Sequence, residues 1–211
     1  FQVLHASNIS GGVINSGTIT AGVDAFQVNA STISGGIVNS GTITGGTNAF
    51  NIVNATAPIT ITNSGLIDGN VILDGGILRL NGLTGRVTGP VTGGAGSTVT
   101  VNGTFTTENT FSVDNFAIGT GGRLNIGHGV TTTSGVSNAG TLAVASGVNA
   151  TVTGNYTQAA GGNFEISAST PDNFGTLAVT GTADLSASGL VTVNLPSLLT
   201  VGTVQDVLTE I

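Results

Sequence analysis

The chain contains no cysteine and no lysine, and only Arg79, Arg86 and Arg123 carry a permanent positive charge. The missing thiols exclude disulfides and thiolate metal sites, and they suit a chain that crosses a membrane unfolded. Charged residues make up 6% of the sequence, far below the roughly 25% of an ordinary soluble domain. With a net charge of −7 and a pI near 4.2, the chain lacks the basic clusters that phosphate backbones require, which excludes nucleic acid as a partner. Anionic lipid is disfavoured on the same ground. No apolar run approaches the length of a membrane-spanning helix. No basic-then-apolar leader opens the sequence, so a signal peptide is expected to lie outside these 211 residues.

What fills the space is glycine, at 35 positions, with long stretches of Thr, Ser, Asn, Val and Ile. That set favours strands and turns, and almost no helix is expected.

Self-comparison exposes a repeat. SNISGGVINSGTITAGVDAFQV from Ser7 aligns with STISGGIVNSGTITGGTNAFNI from Ser31, and Asn15, Asn39 and Asn63 recur every 24 residues. Thr18-Ile19-Thr20 and Thr42-Ile43-Thr44 alternate, placing Ile on one face and Thr on the other, and Ile67 keeps the phase. A unit of this length cannot bury its own apolar side, so the units must stack and share a core. The expected fold is all-β: a right-handed parallel β-helix with three short strands per rung of about 24 residues. About nine rungs at one strand spacing each give a rod roughly 40 Å long. Val13, Ile37 and Ile61, then Ile19, Ile43 and Ile67, are expected to stack inside, with Phe26 over Phe50. Asn15, Asn39 and Asn63 should form an amide ladder at a corner, where Gly17, Gly41 and Gly65 are expected to take positive φ. A disordered linker shares the Gly, Ser and Thr content but leaves the in-phase isoleucines unexplained.

Past Asp68 the strict phase is lost, yet alternation continues in Thr98-Val-Thr-Val, Leu124-Asn-Ile and Leu142-Ala-Val. Asn138-Ala-Gly-Thr-Leu echoes the earlier Asn-Ser-Gly-Thr-Ile, at a spacing that suggests three further turns.

The units INSGTIT from Ile14 and ITNSGLIDG from Ile61 resemble the repeats of bacterial autotransporter passenger domains. The closing stretch is the more specific likeness: YTQAAGGNFEI from Tyr156, FGTLAVTGTADL from Phe174, SGLVTVNL from Ser188 and VGTVQDVL from Val201 are similar to the autochaperone region of such passengers. The resemblance implies export, threading through the passenger's own outer-membrane β-barrel, and folding at the cell surface from the C-terminus. Because Phe1-Gln-Val matches Phe26-Gln-Val, the sequence is expected to be a fragment with more rungs or another domain upstream. Residues 1–137 are expected to form rungs, regular over 1–68 and irregular beyond, and residues 138–211 the last rungs and an autochaperone-like cap. In that cap, the large apolar residues from Phe164 to Leu208 would cover the open end, with a break at Pro196.

Parallel β-helices also carry polysaccharide lyases and hydrolases, whose chemistry gathers carboxylates with Arg or Lys in a groove. Asp68, Asp74 and Arg79 are the nearest approach, and solvated charges that deter edge association explain them equally well. His5 and His128 have no visible partner, and His128 lies between two glycines in a turn. No nucleophile elbow and no calcium-binding Gly-Asp repeat occur, and Gly121-Gly122 reads as a turn. Thr18, Thr20, Thr42 and Thr44 suggest the flat threonine array of ice-binding solenoids, but Leu66 and Asp68 end it after two rungs. No catalytic, cofactor-binding or metal residue is therefore assigned. The expected role is adhesion or autoaggregation at the cell surface, with host surfaces, glycans or identical passengers as partners. The alternatives are a passive stalk for an upstream protease or esterase, and a polysaccharide-active enzyme.

Overall fold

A computed structural model describes residues 1–170, 172–187, 189–195 and 207–210. The described chain is all-β, with parallel strands stacked as a solenoid of about eight turns, about 22 residues each. One antiparallel pairing interrupts the pattern, between Asn163–Thr170 and Asn173–Phe174.

The repeat spacing shows itself as backbone register. Val13 pairs with Ile37 and Ile37 with Ile61, then the column continues through Leu78, Val99, Phe116, Val136, Tyr156 and Ala183. A second inward column runs Ile19, Ile43, Ile67 and Val87. A third begins with Phe26 on Phe50, whose rings stack 5.1 Å apart, and continues through Val71, Val91 and Phe111. Ile37, Ile43, Ile61 and Ile67 are fully buried, whereas Val13 and Ile19, in the first turn, are half-buried because they are covered from one side only.

The corner asparagines form the expected ladder. Asn15 Nδ2 donates to Asn39 Oδ1 and Asn39 Nδ2 to Asn63 Oδ1, each at 2.8 Å. The same nitrogens also donate to the carbonyls of Thr42 and Leu66 at 3.0 Å. Each buried amide is thus shared between its neighbour and a main-chain turn, which removes the cost of about 1–3 kcal/mol of leaving it unpaired.

The glycines beside this ladder do not take positive φ, contrary to expectation: Gly17, Gly41 and Gly65 all have ordinary backbone angles. Close approach is the reason for glycine here. A Cβ at Gly41 would strike the carbonyl oxygen of Gly17, and one at Gly65 that of Gly41. Positive φ falls instead at other corners, among them Gly36, Gly75, Gly96 and Gly121.

The turns also shorten after the third, so the uniform 24-residue rung does not persist. Leu66–Ile72 runs beside Thr42–Val53 with two register shifts, so that Ile67 lies against Ile43 while Val71 already reaches Phe50. The same contraction corrects the turn count to Asn138. Asn63 pairs with Leu80, Leu80 with Val101, Val101 with Ile118 and Ile118 with Asn138, which makes four turns and not three. Asn138 still falls in the corner column of Asn15, Asn39 and Asn63. There its Nδ2 donates to the Tyr156 hydroxyl at 3.0 Å, which donates to Gln158 Oε1 at 3.2 Å. Burial of that phenol pushes its pKa up to about 12.

The stretch from Tyr156 supplies further strands of the same ladder. Phe164, Ile166, Leu177 and Val179 are buried, and Val207 and Leu208 pack against the core. Leu190–Asn194 pairs in parallel with Asn163–Thr170, leaving Val191 53% and Val193 47% exposed. Pro196, Leu198 and Leu199 lie outside the described residues.

Candidate functional site

The polar groups that a catalytic site would gather are dispersed along the rod. Asp68, Asp74 and Arg79 are close in sequence but serve three separate places. Asp68 Oδ1 accepts a hydrogen bond from the Thr88 hydroxyl at 2.6 Å. Asp74 lies at a corner with φ 39°, on a groove of about 500 Å³ shared with Asn54, Ile72, Thr92 and Ser112. Arg79 stands in the outward row between Thr62 and Thr100, and lines a different groove with Ser34 and Thr60.

The other two arginines are held by carboxylates. Arg86 makes two hydrogen bonds to Glu108, at 2.6 and 2.7 Å, and Arg123 makes two to Glu165, at 2.7 and 2.8 Å. The hydrogen bonds from Arg86 and Arg123 pull Glu108 and Glu165 below the ordinary carboxylate range, against the opposing effect of partial burial. Asp114 is lowered by the Ser134 hydroxyl and the Gly96 N–H, and Asp184 by Ser186. Among the described residues every carboxylate with a shifted pKa is shifted down, towards the ionised form, whereas a general acid at neutral pH needs the opposite shift.

His5 is exposed at a corner with φ 61°. His128 is exposed in a bend, where its Nδ1 lies 2.8 Å from the Thr107 carbonyl oxygen. A carbonyl only accepts, so Nδ1 carries the proton there. The Thr107 hydroxyl accepts from the N–H groups of Gly127 and His128, which pins the bend to the preceding turn. Among the described residues no three His, Cys, Asp or Glu side chains come together as a metal cage.

The extended feature is the outer surface, whose rows follow from strand alternation. One row reads Ile14, Val38, Thr62, Arg79, Thr100, Ala117, Ser137 and Thr157. Another reads Gln2, Gln27, Asn51, Ile72, Thr92, Ser112 and Thr131. Gln2 Nε2 donates to Gln27 Oε1 at 2.7 Å, so amides line up outside the rod as well as inside. The two-deep threonine array ends as the sequence implies, with Leu66 beside Thr42 and Asp68 beside Thr44. Sequence reasoning missed the grooves and both ion pairs, since their partners meet only through inter-turn registers that the irregular region conceals. These rows and open grooves present hydroxyls and amides to solvent, interrupted by Ile14, Val38, Ile72, Arg79 and Ala117.

No protein family matches the chain, and no curated protein or solved structure does.

Proposed function

We propose that the chain is a segment of a secreted autotransporter passenger, displayed on the bacterial surface and acting in adhesion or autoaggregation. The observation that carries this reading is the outward row Gln2, Gln27, Asn51, Ile72, Thr92, Ser112 and Thr131, in which an uncharged hydroxyl or amide stands at every turn except that of Ile72. Contacts of this kind are individually weak, and repetition makes them cooperate when many copies face one surface. Few charges oppose the approach of an identical neighbour, since the whole chain carries only 13 formally charged Asp, Glu, Lys and Arg side chains. The passenger's own outer-membrane β-barrel would be its export partner, and the segment from Tyr156 onward would nucleate folding and close the rod's C-terminal end.

The test compares cells displaying the intact passenger with cells lacking it, scoring clumping and attachment to glycan-coated and protein-coated surfaces. Equal behaviour of the two would overturn adhesion. Replacing this segment by an unrelated solenoid of equal length separates the second reading, a passive stalk. Adhesion that survives the exchange belongs to another part of the passenger.

A further inference from the structure

Two Asn-Gly dipeptides, Asn81-Gly82 and Asn102-Gly103, stack one turn apart at an outer corner, with Leu80 paired to Val101 just before them. Asn-Gly is the dipeptide most open to succinimide formation, because glycine places no Cβ beside the attacking nitrogen. The two copies have the same chemistry in sequence and opposite hydrogen bonding in the fold.

At the first copy, Asn81 Oδ1 accepts a hydrogen bond from Asn102 Nδ2 at 3.1 Å. A donor therefore already points at the oxygen on which negative charge develops when the side-chain carbonyl is attacked. The N–H of Gly82, whose φ is 78°, has no acceptor among the described residues, and Gly82, Leu83 and Thr84 are all exposed. At the second copy the Gly103 N–H donates to the Leu80 carbonyl at 3.2 Å, and Asn102 N–H to the same oxygen at 2.9 Å. There the nucleophile is engaged, the departing amide nitrogen is engaged with Asn81, and no described donor reaches Asn102 Oδ1.

We propose that Asn81 is a site of spontaneous deamidation that the fold activates, while the same stacking protects Asn102. The Gly82 nitrogen gives up its proton to solvent base and attacks Asn81 Cγ. The new C–N bond closes a five-membered ring, the Cγ–Nδ2 bond breaks, and the nitrogen leaves as ammonia after regaining a proton from water. Water then opens the succinimide at either carbonyl, leaving aspartate or isoaspartate at this position. The isoaspartate product lengthens the main chain by one methylene at a corner without slack. Thr104 N–H donates to the Gly82 carbonyl at 2.9 Å, and a Cβ at Gly103 would already collide with that oxygen. Conversion thus adds a negative charge and loosens the stacking of these two turns, marking the age of each displayed molecule.

The sequence makes the test simple. Trypsin cleaves only after Arg79, Arg86 and Arg123, so Leu80–Arg86 carries Asn81 and Val87–Arg123 carries Asn102. The full chain is incubated at mildly alkaline pH, folded or in denaturant, then digested, and amide-to-acid mass gain and isoaspartate are measured by fragmentation at each asparagine. The expected result is conversion of Asn81 severalfold faster than Asn102 in the folded protein, with the two rates converging in denaturant. Equal rates in the folded state, faster conversion of Asn102, or no conversion at either would overturn the proposal. Asn102→Ala, checked for an unchanged circular dichroism spectrum, is expected to slow conversion at Asn81. An unchanged rate would remove the role of the Asn102 donor.

Discussion

Arg123 and Glu165, separated by 42 residues in sequence, face each other across two turns and share two hydrogen bonds. The register explains the meeting: Arg123 pairs with Thr141 and Thr141 with Asn163, which puts Glu165 on the same outward side of the third strand. The Glu165 side chain is 15% exposed and that of Arg123 37%. Glu165→Gln is expected to cost about 1 kcal/mol, a figure held down by solvent screening of the guanidinium. Because the folded carboxylate lies below its ordinary value of 4.5, its contribution is complete above that pH and is lost as the pH falls through the folded pKa. Urea melts at pH 7 and pH 3 measure this, and the gap between wild type and Glu165→Gln should be smaller at the lower pH.

The amide ladder yields a second expectation. Asn39→Leu places an apolar residue in a buried column that is itself apolar further along, at Leu80, Val101 and Ile118. It nevertheless orphans the Asn15 and Asn63 groups that Asn39 now satisfies. A loss of about 1–3 kcal/mol in thermal or chemical denaturation is expected, and an unchanged midpoint would show that the ladder contributes nothing.

Gly41 and Gly17 occupy equivalent places in consecutive repeats, yet only Gly41 has another turn's backbone where its Cβ would sit. Gly41→Ala should therefore destabilise by about 1–3 kcal/mol through backbone displacement. Gly17→Ala should stay within about 0.5 kcal/mol of the parent. Equal effects of the two would mean that the close approach does not constrain the corner.

Folding from the C-terminal end is checked by truncation. If the segment after Gly154 nucleates and closes the rod, residues 1–154 alone should refold more slowly and melt lower than the full chain. The remaining C-terminal part should keep its circular dichroism in denaturant after the repeats have melted. Identical refolding and melting would remove that role.

Among the stacks, Ile19, Ile43 and Ile67, the Phe26–Phe50 pair and the Asn15–Asn39–Asn63 ladder were all legible, because identical units of one length can stack only in one register. Asn138 was legible as a corner amide, but not its distance in turns. The contraction between Asp68 and Val71 arises because Thr42–Val53 bulges extra residues opposite the shorter Leu66–Ile72, and such bulges depend on how each loop seats against the turn before it. The dispersal of Asp68, Asp74 and Arg79 to separate places was equally hidden, since proximity along the chain says nothing about which corner intervenes.

By itself, then, the sequence determined that this chain stacks in parallel and which side chains face inward in its first turns: alternation and strict period act locally and repeat without conflict. Only the tertiary structure decided which turns are short, which glycines are required by a neighbouring backbone and which by φ, and that Arg123 reaches Glu165. Those outcomes depend on contacts between residues one or two turns apart, and once the turn length varies, no spacing in the chain encodes the partner.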